Sequence, residues 1–127
     1  MAEVLRTADV VSLHCPLTPA TTGLIGATEL ALMKPDALLV NTARGGLVDA
    51  AALAAALRAR QIGGAAIDVL AVEPPVDGNP LLAADIPNLL VTPHTAWAAV
   101  EARQRSLDQL AGHLGAWRRG ETSGRVV

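Results

Sequence analysis

Two residues of this sequence have side chains suited to chemistry on a small acid, and each follows a short apolar run. Arg44 precedes Gly45 and Gly46, glycines that let a ligand approach the backbone closely. A guanidinium there can hold a carboxylate through two parallel hydrogen bonds. His94 can give and take a proton near neutral pH. Each also has an ordinary explanation, since Arg44 could pair with Asp49 at the surface and a lone histidine is more often a structural hydrogen-bonding group.

Two carboxylates accompany these residues. Glu73 precedes Pro74 in a loop, where it could hold His94, because a nearby carboxylate favours the protonated imidazole and fixes its tautomer. The alternative is a solvated loop acid. Asp68 lies inside an apolar run, so it must find partners there. It is expected to contact a ligand or to cap a helix end.

Other candidates are weaker. His14 and Cys15 are adjacent, and neighbours on a strand point to opposite faces, so they form a poor nucleophile–base pair and Cys15 is expected to be a small buried residue. His113 is expected on a helix surface, and Trp97 either packs at a helix start or forms a pocket wall. The histidine spacing fits no helical zinc site, and a metal hydrolase using His14, Asp68 and His94 is the weakest alternative. No Gly-x-Ser-x-Gly, Gly-x-Gly-x-x-Gly or Walker sequence occurs.

Four apolar runs must position these residues. None alternates between polar and apolar residues, which is typical of strands covered on both faces of a parallel sheet. Successive runs begin roughly 25 residues apart, near the length of a βαβ unit. They predict an α/β fold with a parallel sheet of about four strands. The runs are 9–15 (DVVSLHC), 37–42 (ALLVNT), 64–69 (GAAIDV) and 88–93 (NLLVTP).

Helical patterns lie between and after the runs. Asp49 is expected to cap a helix beginning at Ala50, with Arg58 and Arg60 in its last turn and Gly63 or Gly64 supplying the left-handed residue that ends it. A first helix is expected from Glu29 to Lys34, capped by Thr28 and stopped by Pro35. The third connection is expected to be mostly loop, with one turn at residues 81–84. A long C-terminal helix is expected over about residues 98–118. Its apolar stripe is Leu107, Leu110, Ala111, Leu114 and Trp117.

Ligands of parallel α/β sheets bind outside the carboxyl ends of the strands. Each predicted strand finishes in a polar or ionisable group, so these groups are expected to line one edge of the sheet. They are His14 and Cys15, the segment from Thr42 to Gly46, Asp68, and Pro93 with His94.

Composition narrows the class of protein. The length of 127 residues indicates one domain, and the hydrophobic content of 51% excludes disorder. The net charge of −2 gives no sign of the basic surface that binds nucleic acid. No stretch approaches the roughly 20 apolar residues of a membrane span. The single cysteine excludes an internal disulfide and suits a reducing compartment. No secretory signal is evident, so a cytoplasmic location is expected.

Taken together, the sequence resembles the C-terminal part of the nucleotide-binding domain of D-isomer-specific 2-hydroxyacid dehydrogenases. Four stretches in the family's order carry the resemblance: 8–18 (ADVVSLHCPLT), 39–49 (LVNTARGGLVD), 66–74 (AIDVLAVEP) and 92–96 (TPHTA). Residues 94–97 (HTAW) with 101–105 (EARQR) look most like the glycerate dehydrogenase/hydroxypyruvate reductase branch.

The resemblance implies a role for each matching residue. Arg44 matches the arginine that binds the substrate carboxylate. His94 matches the acid/base that protonates the carbonyl oxygen, and Glu73 matches the carboxylate that pairs with that histidine. Trp97 is expected beside the substrate. The cofactor would be NAD or NADP. The residues expected to line it are His14, Cys15, Pro16, Thr42, Ala43, Arg44, Asp68 and His94.

The family's Gly-x-Gly-x-x-Gly turn, its ribose-binding acid, three strands and most of its substrate domain precede the matching segment and are not in this sequence. Residues 1–120 are therefore expected to be the C-terminal part of a Rossmann-type domain and residues 121–127 a polar tail. Activity would need the absent half, which a complementing N-terminal polypeptide would supply; the other interpretation is a truncated product that is inactive alone. The apolar edge strand 9–15 predicts self-association or poor solubility. A non-catalytic interaction module, as in the similar C-terminal-binding-protein corepressors, is the alternative.

Overall fold

Four parallel strands form the sheet that the sequence predicts. In the computed structural model, which describes residues 1–122, their order is β1-β2-β3-β4, and the register places Val10 beside Leu38 and Leu38 beside Gly64. The chain divides into two compact units, Met1–His94 and the segment from Thr95 onward. Each is described by itself. The strands are β1 (Val10–Leu13), β2 (Leu38–Asn41), β3 (Gly64–Ile67) and β4 (Leu89–Val91), and the helices are α1 (Ala2–Thr7), α2 (Ala27–Leu30), α3 (Ala50–Arg58) and α4 (Val100–Arg118).

One face of the sheet carries the core of the first unit. Leu39 of β2 is fully buried and belongs to one apolar cluster with Leu53 and Leu57 of α3. The register puts alternate residues on the opposite face, where Val10 is 54% and Leu90 61% exposed. The expectation that both faces are covered therefore holds for only one of them.

Helix α3 begins where the sequence predicts. The Asp49 carboxylate accepts hydrogen bonds from the amides of Ala51 and Ala52, at 2.9 and 3.0 Å. The end of the helix is different from the prediction, because α3 stops at Arg58 and Arg60 itself takes the left-handed conformation, with φ of 52°. Neither Gly63 nor Gly64 supplies that residue.

The first connection is also different from the prediction. Helix α2 spans only Ala27–Leu30, and its N-cap is Gly26 rather than Thr28. The Gly26 amide donates to the Glu29 carboxylate at 3.1 Å, so the glutamate satisfies the helix start from inside the first turn. Helix α1 was not expected from the sequence, although Glu3 in its first turn and Arg6 in its last suit the helix dipole.

The third connection is mostly loop, with a short 3₁₀ helix at Pro80–Leu82, one residue earlier than the expected turn. In the second unit, α4 confirms the expected C-terminal helix. Its stripe is solvent-exposed, with Leu107 60% and Trp117 74% exposed. Within residues 1–122, no helix is long and apolar enough to cross a membrane. Residues 123–127 of the expected tail lie outside the described residues.

We expect the Asp49→Ala variant to lower the free energy of unfolding by about 1 kcal/mol, because two amides at the start of α3 lose their acceptor. Urea denaturation followed by circular dichroism measures the change. The Asp49→Asn variant is the control, since asparagine caps equally well, and an equal loss in both variants would contradict the capping role.

Candidate active site

The polar strand ends lie at one edge of the sheet, as predicted, and line two clefts. The first is an open cleft of about 770 Å³ at the ends of β1 and β2. Its walls are His14, Cys15, Pro16, Leu17, Thr42, Ala43 and Arg44. The second, of about 460 Å³, lies at the ends of β3 and β4 and contains Asp68, Glu73, Thr92 and His94 among apolar residues.

Glu73 and His94 form a pair, which sets aside the alternative of a solvated loop acid. His94 Nδ1 lies 2.6 Å from Glu73 Oε2, and the other carboxylate oxygen accepts the Leu70 amide at 2.6 Å. The hydrogen bond with His94, and next the one from Leu70, lower the pKa of Glu73 below its ordinary value of 4.5. The carboxylate is thus kept ionised and held from both sides.

His94 has an unusual backbone conformation. Its φ of 54° lies in the left-handed region, which is uncommon for a residue with a side chain. The His94 amide donates to the Thr92 carbonyl at 3.0 Å, which holds this turn. Such strained residues concentrate at functional sites. The side chain remains 43% exposed, so the paired imidazole is accessible from the solvent.

Asp68 is 5% exposed and has a partner that the sequence reasoning did not anticipate. The Thr92 hydroxyl donates to its carboxylate at 2.5 Å, across the ends of β3 and β4. This hydrogen bond is not the helix-end cap that the sequence also allowed for Asp68. The bond instead ties together the two strand ends that carry the Glu73–His94 pair.

Asn41 is a residue of the site that the sequence reasoning missed. Its fully buried side chain accepts the Ala43 amide at 3.1 Å and donates to the Arg44 carbonyl at 2.9 Å. The signal was a polar residue at the end of a buried strand, where it needs partners. Asn41 therefore shapes the turn that carries Arg44.

The Arg44 side chain does not make the surface pair with Asp49 that the sequence allowed. Its Nη1 donates to the Ala43 carbonyl at 2.7 Å, while the Asp49 carboxylate caps α3. The residue is exposed. A guanidinium has five N–H donors, so after this hydrogen bond Arg44 has enough donors to bind a carboxylate in the first cleft.

On the side where Gly45 and Gly46 lack a side chain, the nearest atoms belong to the protein itself. A Cβ on Gly45 would lie 2.0 Å from the carbonyl carbon of Leu70, and one on Gly46 would lie 2.9 Å from Leu17 Cδ2. The space beside Gly45 is thus filled by the backbone of the loop that leads to Glu73.

His14 and Cys15 follow β1, which ends at Leu13, so strand alternation does not describe them, and both line the first cleft. Cys15 is half-buried rather than buried, and His14 Nε2 lies 2.8 Å from the Ser12 hydroxyl. His113 is exposed, as expected. Trp97 belongs to the second unit and is 60% exposed. In residues 1–122, no cluster of three His, Cys, Asp or Glu side chains could hold a metal ion.

Comparison with known proteins defines the class. Residues 1–96 match the family model for the D-isomer specific 2-hydroxyacid dehydrogenase, NAD binding domain. The chain belongs to this family, as the resemblance predicted.

Several relatives support the assignment. The chain is 56% identical over 121 residues to a glycerate dehydrogenase of Methylorubrum extorquens. The aligned residues make up 95% of this chain and 38% of the relative. It is 53% identical to a putative 2-hydroxyacid dehydrogenase of Haemophilus influenzae over 79% of this chain and 32% of the relative. The chain thus spans about a third of the length of these curated relatives.

Solved structures agree on the fold. The NAD-complexed D-isomer specific 2-hydroxyacid dehydrogenase of Lactobacillus delbrueckii superposes with a TM-score of 0.85 at 34% identity, over 99% of this chain and 41% of that chain. The D-lactate dehydrogenase of Lactobacillus jensenii with NAD⁺ superposes with a TM-score of 0.84 at 37% identity, over 99% of this chain and 41% of that chain. The parallel sheet is therefore the Rossmann-type sheet of these dehydrogenases.

We expect the pKa of Glu73 to lie below 4.5 and to rise towards that value in His94→Ala, because the largest cause of the lowering is removed. It stays somewhat lowered, since the Leu70 amide remains. Titration of the carboxyl carbons by NMR measures both values. The His14→Ala variant is the control, and a Glu73 that titrates at its ordinary value in the unaltered chain contradicts the pairing.

The lowered pKa also sets a pH dependence. The contribution of Glu73 to the free energy of unfolding is complete above its ordinary pKa of 4.5 and is lost as the pH falls through its lower folded value. The stability difference between the unaltered chain and Glu73→Gln should therefore shrink as the pH falls below 4.5. Urea denaturation at several pH values measures it, and a difference that grows on acidification would contradict the sign.

We expect Asn41→Leu to lower the free energy of unfolding by about 1–3 kcal/mol, because the Ala43 amide and the Arg44 carbonyl lose a buried partner. Urea denaturation measures the loss. Thr42→Val alters the exposed neighbouring residue and should change stability by less than about 0.5 kcal/mol. Equal effects of the two substitutions would show that Asn41 has no special role.

Proposed function

We propose that the chain contributes the acid/base and the substrate-binding arginine to a nicotinamide-dependent dehydrogenase acting on a small 2-hydroxy acid. The observation that carries the proposal is the Glu73–His94 pair, in which an exposed imidazole is held by an ionised carboxylate at a strand-end cleft. A carboxylate bound to one ring nitrogen leaves the other to exchange a proton with a substrate. The family membership of the chain supports the same chemistry.

The first cleft fits a bound nicotinamide nucleotide. It lies outside the carboxyl ends of β1 and β2, where α/β sheets bind dinucleotides, and its volume of about 770 Å³ is in the range of ligand sites. The residues that would line the cofactor there are His14, Cys15, Pro16, Thr42, Ala43 and Arg44, with Asp68 and His94 at the neighbouring strand ends. When bound, the reduced cofactor supplies a hydride to the carbonyl carbon of a 2-oxo acid.

Arg44 binds the substrate carboxylate in this proposal. Strands β2 and β4 are separated only by β3, so the strand ends that precede Arg44 and His94 are roughly 10 Å apart. Two side chains extending from those ends can reach the same small acid. The guanidinium also stabilises negative charge that develops on the adjacent carbonyl oxygen.

His94 supplies the proton. Because its Nδ1 bonds Glu73, proton exchange with the carbonyl oxygen falls to Nε2. In the reductive direction the protonated ring donates to the developing alkoxide, and in the oxidative direction Nε2 accepts the hydroxyl proton. Glu73 stabilises the ring while it carries the positive charge.

Within the class, we propose glycerate and hydroxypyruvate as the substrate pair, with NAD or NADP as the cofactor. The glycerate dehydrogenase relative at 56% identity supports this choice. Trp97, three residues after His94, is our candidate for a further substrate contact. The relatives named above are dehydrogenases, which favours an enzyme over the interaction-module alternative.

We further propose that residues 1–120 act as the C-terminal part of a cytoplasmic dinucleotide-binding domain. The site is completed by an N-terminal half with the phosphate-binding turn, or by assembly into a homo-oligomer. The exposed Val10 on edge strand β1 supports pairing with further chain.

A chimera tests the proposal. We expect the glycerate dehydrogenase of Methylorubrum extorquens, with its 121 matching residues replaced by this chain, to oxidise NADH or NADPH with hydroxypyruvate. Arg44→Ala and His94→Ala should each lower kcat/KM about 100-fold or more, because each removes a group that stabilises the transition state. Loss of NADH or NADPH absorbance measures the rate.

Arg6→Ala and His113→Ala are matched controls, since they remove the same residue types from exposed positions elsewhere in the chain. They should retain turnover within about twofold. A folded chimera that turns over equally well without Arg44 or His94 would refute the proposal.

A further inference from the structure

We propose that Gly45 is a positioning residue: its contact with the Leu70–Ala71 peptide fixes the Arg44 turn relative to the Glu73–His94 pair. The proposal deepens the function proposed above and rests on it for the catalytic consequence. Its structural part concerns three contacts in series, from the Arg44 turn to Leu70, from Leu70 to Glu73, and from Glu73 to His94.

The first contact leaves no room for a side chain. A Cβ on Gly45 would lie 2.0 Å from Leu70 C, 2.3 Å from Leu70 O and 2.3 Å from Ala71 N. These are backbone atoms, which cannot rotate away as a side chain does. The two segments therefore pack backbone to backbone, which only glycine permits at this position.

The second and third contacts continue from the same residue, through the amide on the other side of the Leu70 Cα. The Leu70 amide donates to Glu73 Oε1 at 2.6 Å, and Glu73 Oε2 lies 2.6 Å from His94 Nδ1. A displacement of the Leu70 peptide therefore moves the carboxylate that orients the imidazole.

The Arg44 side of the contact is the more firmly held one. The buried Asn41 side chain bonds the Arg44 carbonyl, the Gly46 carbonyl accepts the Gly23 amide at 2.9 Å, and Leu47 is fully buried. Leu70 is half-buried, and residues 71–73 are exposed. A methyl group at Gly45 is thus accommodated by movement of the Leu70–Glu73 segment.

Two other glycines supply matched controls. The three atoms nearest to a Cβ on the neighbouring Gly46 would all belong to the Leu17 side chain, the nearest being Cδ2 at 2.9 Å, and that side chain can turn aside. A Cβ on Gly63 would meet the Asp36 backbone at 2.5 Å, a comparable clash that lies before β3, at the opposite ends of the strands from the site.

NMR of the chain itself tests the structural part. We expect Gly45→Ala to shift the His94 ring nitrogen signals and the Leu70 amide signal, with His94→Gln used to assign the ring. Gly46→Ala should leave the His94 ring signals in place. Gly63→Ala should lower Tm but also leave these signals in place, which separates positioning from general destabilisation. A folded Gly45→Ala chain with unshifted His94 ring signals overturns the proposal.

If Gly45→Ala does not fold, the reverse experiment applies. Glu73→Ala removes the carboxylate that holds the Leu70 peptide, so the Gly45 amide signal should shift, whereas Glu101→Ala on α4 should leave it unchanged. An unshifted Gly45 signal in the Glu73→Ala chain overturns the proposal.

The catalytic consequence is measured separately in the chimera. We expect Gly45→Ala to lower kcat/KM about 100-fold, as small misplacements of reacting groups do. Gly63→Ala, which introduces a backbone clash at the opposite ends of the strands, should lower it less than threefold. NMR shifts without any turnover in the unaltered chimera would uphold the coupling and count against the proposed function. An unchanged kcat/KM in the Gly45→Ala chimera would overturn the positioning role.

Discussion

The site depends on the parallel pairing of four short strands, because that pairing makes every strand end at the same edge. Arg44, Asp68 and His94 are separated by at least 24 residues in the sequence, yet each follows the end of a strand in one sheet. The chain continues from the carboxyl ends of such strands into loops, so ligands can bind outside these ends. A sheet with mixed directions would send these residues to opposite edges.

Hydrogen bonds between side chains and the backbone position the residues at that edge. Glu73 is held by the Leu70 amide, the Arg44 turn by hydrogen bonds to the buried Asn41 side chain, and α3 begins on the Asp49 carboxylate. Within residues 1–122, no buried side-chain nitrogen or oxygen lacks a hydrogen-bond partner. The hydrogen bonds of these turns fix the backbone positions from which the functional side chains extend.

Local sequence rules succeeded where one residue decides the outcome and failed where neighbours compete. Asp49 has the side chain of a helix cap and caps α3. Thr28 has one too, yet Glu29 bonds the Gly26 amide, so α2 begins two residues earlier. Arg60 adopts a positive φ that glycine favours, whereas Gly63 lies where a Cβ would meet the Asp36 backbone.

The sequence by itself determined the parallel sheet, the strand ends that carry the ionisable residues and the family, because apolar runs, their spacing and four motifs in order are all properties of the linear chain. The tertiary structure decided that Glu73 bonds His94 rather than being a solvated loop acid. Only the tertiary structure showed that Thr92 bonds Asp68 and that Gly45 lies against the Leu70–Ala71 peptide. Hydrogen bonds and close packing require atoms of residues more than 20 apart in the chain to be placed to within a few tenths of an ångström. No pattern of residue types encodes positions at that precision.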